Sequence, residues 1–448
     1  MSRNTLVGMF TCALVFLAAG AMDAGAATLT YPGAAPCNTT LQLCADGAVA
    51  GDTVSLATNT PIAEFITIDR SLIVQPAAGF TPHVQGLFVL ATTTNVDVTI
   101  QRIGANSIEG RIGFGGGNLT LRVLNNTIDA AQRSAITVQD GSAAGTYGTK
   151  TLIATGNTIT QNSGFSSCAD AIIAVGTSTG FDATIVGNNI TANNLSQCGG
   201  VVAVVGAGQS GTARIERNIV HGVDFDLGIE ARNFGNNVGQ PGGLLTATIV
   251  GNLVYGQNGN TGAPAGIVLS ADGNNASVDA RVINNTVADG RLGVLVSART
   301  DLGANITGGL FNNIVAFHSQ GGISIDTGLG GFTNGFNLAF ANNSEFFTAG
   351  PGTRFSDPAF VNRPAGNYRL TPLSEAINQG SNALLPIGYT VDLDGAPRVQ
   401  GGVVDMGAYE STIVAAASAI PTLDGKALLA LSLLLLALGM TARRSMRR

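Results

Sequence analysis

Short apolar segments recur along the middle of the chain, each ending in Asn and then an aliphatic residue. They read LRVLNNTI, LIATGNTI, ATIVGNNI, ARIERNIV, ATIVGNLV, ARVINNTV and GGLFNNIV, with GGFTNGFNLAF as a degenerate last copy. The recurring Asn is Asn126, Asn157, Asn188, Asn218, Asn252, Asn285, Asn313 and Asn337, at a mean spacing of about 30 residues. Within most copies small or apolar residues alternate, as at Ala183, Ile185 and Gly187, which is the period of a strand and does not fit a helical stripe. Helical solenoids are thereby disfavoured, and leucine-rich repeats would need Leu where Val, Ile and Ala share the inward positions. A coil of about 30 residues with two or three short strands predicts an all-β fold, a right-handed parallel β-helix. The marker Asn should form an interior ladder at the turn after each strand.

A further strand in each coil follows the same rule. It reads Ala135-Ile136-Thr137-Val138, Ala171-Ile172-Ile173-Ala174, Gly200-Val201-Val202-Ala203, Gly228-Ile229-Glu230-Ala231, Gly266-Ile267-Val268-Leu269, Gly293-Val294-Leu295-Val296 and Gly322-Ile323-Ser324-Ile325. The first and third residues after the small one should face the core, leaving the others outside. Ile173, Val175, Val202, Val204, Val268 and Leu295 then form an outward apolar stripe with Glu230 and Arg232 inside it. A stripe of that extent predicts a binding groove or a surface covered by the protein's own loops, and the segment from Phe234 to Ala247 is long enough to cover it.

Composition narrows what that surface meets. Charged residues make up 11% of the chain, against roughly 25% in a typical soluble domain, so Asn, Thr, Ser and Gly must solvate it. The formal charge of −6 excludes nucleic-acid binding by electrostatic attraction. Motifs for a metal, a nucleotide or a redox cofactor are absent, so no cofactor is expected. The best local cluster for chemistry runs from His221 to Arg232. In it Glu230 and Arg232 face outward, and Asp224 and Asp226 sit in the preceding turn. At the equivalent outward positions of the other coils stand Val, Ile, Leu and Ser, with a lone Asp326 three coils on, so carboxylates do not stack across coils as a polysaccharide lyase or glycoside hydrolase would require. The expectation is a non-catalytic protein that binds glycans or other surface polymers or serves as an envelope or matrix component, with such an enzyme as the alternative.

The ends of the chain predict where it goes. Arg3, the apolar run from Leu6 to Ala21 and Ala24-Gly25-Ala26 read as a signal peptide over residues 1–26, so export is expected. A cap over 27–70 and β-helix repeats over 71–345 follow. Four cysteines remain after the leader: Cys37 and Cys44 can close a small loop, and Cys168 and Cys198 occupy near-equivalent places on adjacent coils, where coil spacing suits a disulfide.

From Phe355 to Glu410 the chain carries FSDPAFVN, GNYRL, EAINQG, DLDGAPR and GGVVDMGAYE in order. This stretch resembles the choice-of-anchor Q domain, which closes parallel β-helices of the pectate-lyase-like superfamily in exported bacterial proteins. The resemblance implies that 346–412 form the last coils and cap and carry no chemistry. Asp392-Leu-Asp394-Gly395 is read as a turn, since the further ligands of a calcium loop are missing. After a linker at 413–426, Ile420-Pro421-Thr422-Leu423, the apolar run 427–442 and the basic tail 443–448 resemble an IPTL-type C-terminal sorting signal. The resemblance implies a membrane-bound, exosortase-like sorting enzyme as a partner. Sixteen helical residues span about 24 Å, near the ~30 Å hydrocarbon core, and Arg443, Arg444, Arg447 and Arg448 would stay on the cytoplasmic side. The body would be held at the cell envelope, or released after processing.

Overall fold

In a computed structural model, the described residues are 25–412, apart from 131–132, 142–145, 163–169, 194–198, 223–225, 237–241 and 259–263. The leader, Cys168, Cys198, Asp224, the IPTL tetrapeptide, the apolar run and the basic tail therefore lie outside the described residues. No helix among the described residues is long and apolar enough to cross a membrane.

Most coils have three strands, for example Leu119–Leu124, Thr127–Ala130 and Ile136–Asp140. The first strands stack into a 12-stranded parallel sheet, and the middle and third strands line up in a 19-stranded one. Register is strict. Leu121 pairs with Leu152, then Ala183, Ala213, Ala247 and Ala280, and all of these are buried. A one-residue slip would turn this whole column to solvent, so the alternation specifies the stacking.

The marker asparagines form an unbroken ladder. From Asn126 to Asn313, the main-chain N and Nδ2 of each marker donate to Oδ1 of the next, at 2.9 to 3.1 Å. The second amide hydrogen reaches a main-chain oxygen near the turn of the preceding coil, as from Asn218 Nδ2 to Ile185 O at 2.9 Å. Buried amides must be satisfied in this way or cost stability. The residue before each marker is left-handed: Asn125, Gly156, Gly187, Arg217, Gly251, Asn284, Asn312 and Phe336. That bend aims the following Asn inward.

Coils begin earlier than position 71. Thr28–Tyr31, Thr53–Leu56 and Leu72–Pro76 already belong to the first sheet. These early coils lack the marker: Ile103 holds the ladder position and only its main-chain N reaches Asn126 Oδ1, at 3.1 Å. The cap within this region is the helix Leu41–Gly47, started by the Thr40 side chain. It buries Leu41 and Cys44 over the open end of the stack, and the Cys37–Cys44 disulfide fastens it. Further along, Lys150 stands in an inward column between Leu119 and Phe181. Its amine is buried against Asp140 and also donates to Thr179 O at 3.1 Å. Asp140 in turn accepts from the main chain of Thr177 and Ser178, which ties two neighbouring loops together.

The C-terminal segment departs from the expected stack of final coils. Phe346 and Arg354 still bridge in parallel to Ser324 and Leu338. Beyond them the chain turns back and lies along the side of earlier coils. Asn284 Nδ2 donates to Asp405 O at 2.8 Å, Ala408 N to Thr286 Oγ1 at 2.9 Å, and Ser381 N to Asn312 Oδ1 at 2.9 Å. Tyr389 packs on Val250 and Ile283, and a Cβ at Gly251 would lie 2.2 Å from its hydroxyl, so only glycine admits the ring. The segment is a buttress, and its last two motifs, DLDGAPR and GGVVDMGAYE, build much of its interior. Asp392 accepts from Asp394 N, Ala396 N and Glu410 N. Buried Arg398 donates to Asp405 O and Gly407 O and faces Glu410.

Candidate functional site

The third strands present the outward face that alternation predicts. Ile172, Val201, Ile229, Ile267 and Val294 face inward and are buried, and their chain neighbours form outward columns. Ile173 pairs with Val202, Val202 with Glu230, Glu230 with Val268 and Val268 with Leu295; beside them Val175 pairs with Val204 and Val204 with Arg232. Around the charged pair lies a half-open cleft of about 350 Å³, lined by Ile173, Val175, Val202, Val204, Glu230 and Arg232 together with Asp170, Gly199, Leu227 and Phe234. Val268 and Leu295 continue the column but do not line this cleft.

The stripe is more covered than its pattern suggests. Val202, Val204 and Val268 keep only 4%, 7% and 6% of their surface, while Ile173, Val175 and Leu295 are half-buried. Outward side chains in one column stand a single coil spacing apart, ~4.8 Å, and shield one another. Phe234, at the start of the segment expected to fold over the stripe, does line the cleft.

Glu230 is the most perturbed group in the cleft. It is 7% exposed, and its carboxyl is pushed up to about 7. Burial is the main cause; Asp170 and Asp272 add to it and Arg232 opposes it. A carboxyl at that value exists in both forms near neutrality, so it can give or take a proton. Arg232 is held from three sides. Its Nε donates to Asp272 Oδ2 at 2.6 Å, its Nη1 lies 3.7 Å from Glu230 Oε1, and its guanidinium sits 4.1 Å from the Phe234 ring centroid. Ser270 Oγ steadies Asp272 at 2.5 Å. Asp170 Oδ1 accepts from Gly199 N at 2.7 Å.

Glu230 and Asp272 thus flank Arg232 and Asp170 lines the same cleft, whereas the outward strand positions predict Glu230 alone. Asp170 and Asp272 come from the two ends of third strands, outside the alternating columns. Asp226 is buried just before the strand Leu227–Asn233, where its main-chain oxygen accepts from Ala265 N at 2.8 Å; it does not line the cleft. His221 stacks on Tyr255 at 5.0 Å between centroids and contacts Thr191 Oγ1 at 2.9 Å, on the ribbon of middle strands. Among the described residues no group of three or more His, Cys, Asp or Glu could hold a metal ion.

Stacked parallel coils, an interior Asn ladder and a cleft on an outward sheet face define a parallel β-helix protein. No family model and no curated protein sequence matches the chain, so the likeness of its C-terminal segments to known families rests on their motifs. Among solved structures it is similar to XylC, determined in complex with xylose, at 10% identity over 83% of this chain and 94% of that one, with a TM-score of 0.42. It is also similar to the pectate lyase Pel9A, at 12% identity over 86% and 96% of the two chains, with a TM-score of 0.32.

Proposed function

We propose that this is an exported, right-handed β-helix protein of the cell envelope whose Glu230–Arg232 cleft binds polysaccharide. The observation that carries the reading is the composition of that cleft. An apolar wall, an aromatic ring and a fixed guanidinium–carboxylate pair share a volume of about 350 Å³, the size of a small-ligand site. Sugars offer both an apolar face and a ring of hydroxyls, and this lining answers both. The largely uncharged surface of the rod suits a neutral polymer as well. The motifs at the C-terminus support a buttress of the choice-of-anchor Q kind, followed by an IPTL-type tail that engages the membrane and a sorting enzyme. The spacing of Cys168 and Cys198 supports a disulfide between adjacent coils in the exported protein.

A second reading is favoured by one observation. Glu230 titrates near neutrality beside Arg232, Asp170 and Asp272, which is the environment of a general acid or base, so a lyase or hydrolase on the same cleft is the alternative. Both are tested by screening purified protein against neutral and uronate polysaccharides, with binding and product formation measured together. Binding that Arg232→Ala and Phe234→Ala weaken, without products, supports the first reading. Unsaturated or reducing-end products that vanish in Glu230→Gln establish the second, and absence of any binding ends both.

A further inference from the structure

The face that carries the Glu230 cleft holds a second cleft, toward the N-terminal end, that repeats its charged pair. The strand Ile108–Ile112 places Glu109 and Arg111 at outward positions. Glu109 pairs in register with Thr137, Thr137 with Ile173, Ile173 with Val202 and Val202 with Glu230. The two glutamates therefore stand in one column, four coil steps or about 19 Å apart at ~4.8 Å per coil. Between them the column is Thr and aliphatic, with no charge.

The second cleft measures about 320 Å³ and has Phe65, Phe88, Ser107, Glu109, Arg111 and Arg133 in its lining. Its charge balance differs from that of the first. Glu109 is already matched, by Arg111 Nη2 at 2.7 Å and by Gln139 Nε2 at 2.7 Å. Arg133 then adds a guanidinium that meets no carboxylate among the described residues; it lies 5.8 Å from the Phe65 ring centroid, as Arg111 lies 5.6 Å from that of Phe88. Phe65 is 58% exposed, and it lies across Gly86, where a Cβ would come within 2.4 Å of the ring. Arg133 is exposed and Arg111 keeps 38% of its side-chain surface, and the cleft carries one positive charge in excess. The Glu230 cleft has the opposite balance, since Glu230 and Asp170 line it with a single guanidinium, that of Arg232, which Asp272 already pairs.

We propose that the Glu109–Arg111 cleft is a subsite for an anionic group, carboxylate or sulfate, of an extended polysaccharide whose neighbouring sugars reach the Glu230 cleft along the neutral column. This rests on the Glu230 cleft being a glycan site. Arg133 and Arg111 receive the anion, Phe65 takes the face of the sugar that bears it, and the repelling carboxyls at the other end fix the direction of the chain.

The test uses the full protein and three polymers: polygalacturonate, its methyl-esterified form and a sulfated galactan. Arg133→Gln should weaken one or both anionic polymers by about five- to tenfold, since a charge-assisted contact is lost, and leave the methyl ester unchanged. Which anionic polymer responds tells carboxylate from sulfate. Gly86→Ala, which displaces the Phe65 ring while sparing both arginines, should weaken the same polymer. Arg232→Ala should weaken charged and neutral forms alike. Equal loss of neutral and anionic binding in Arg133→Gln, or no loss, overturns the anionic subsite while the Glu230 reading stands. Wild-type binding to the neutral form alone has the same meaning. If the wild-type protein binds none of the three, this subsite falls, and the Glu230 reading falls with it only if the neutral polysaccharides of the wider screen fail to bind as well.

Discussion

Two buried charges at single positions have consequences that stability measurements can read. The folded-state value of Glu230 is raised from 4.5 to about 7, so its neutral form is the one the fold favours. Its contribution is fully present below pH 4.5 and is lost as pH rises to about 7, by up to about 3 kcal/mol. Glu230→Gln should therefore flatten the fall in thermal midpoint between those limits and leave the variant more stable than wild type above pH 7. A residual slope is expected because burial also pushes Glu410 up to about 7. An unchanged profile in the variant would show that Glu230 is charged in the fold. The second position is Lys150, whose pKa is lowered by burial while Asp140 opposes the shift. Asp140→Ala leaves that ammonium without its anion and should cost about 3 kcal/mol or more, the range for breaking a buried pair. Lys150→Met should cost less, because Asp140 keeps its bonds to Thr177 and Ser178. Denaturant titration of the two variants gives the order directly.

The coil is the unit in which sequence and structure can be compared. In Asn218→Ala the main-chain N and Nδ2 of Asn188 lose their common acceptor inside a buried column, at about 1–3 kcal/mol for each buried group left unsatisfied. Asn126→Ile should be milder, since only Ile103 N loses an acceptor there and the coil before it already uses Ile at this place. Equal midpoints for the two would mean that the ladder does not act as a chain of bonds. The ladder was legible in the sequence because each marker does the same work at the same turn, and repetition makes such work visible. So were the columns that bring Ile173, Val175, Val202, Val204, Glu230 and Arg232 to one place, for they follow from period two alone. The coils before Asn126 were not legible, because Ile103 satisfies the turn without a carboxamide and leaves no mark. Phe234 was legible only as the start of a segment long enough to reach the stripe, and Asp170 and Asp272, which stand at strand ends outside the alternation, were not legible at all. Glu109 and Arg111 did leave a signal, since Ile108-Glu109-Gly110-Arg111 has the pattern of Ile229-Glu230-Ala231-Arg232, but it lay outside the marked repeats. The buttress escaped because Asn284, Thr286 and Asn312 read as parts of a coil, whereas their side chains fasten a segment about a hundred residues away along the chain.

The whole molecule is a stack of coils whose interstrand bonds run along its axis, with the C-terminal segment clamped across part of its side. That arrangement gives the rod a mechanical character. Tension applied at its two ends pulls on one coil's bonds at a time, so the rod should peel rather than shear. A coil of about 30 residues then releases about 100 Å of slack when it comes free. The stretch from Gly251 to Asn313 behaves differently, because bonds from residues 381–408 cross several coils there and must break together. Single-molecule pulling should record evenly spaced, weak events from the N-terminal coils and one stronger event from the clamped region, which Tyr389→Ala should reduce by emptying the contact with Val250 and Ile283. Uniform events along the whole trace would argue against the clamp. For a rod held by one end in moving fluid, the buttress is a strain relief: yield begins in the unclamped N-terminal coils, and the coils it clamps are the last to give way.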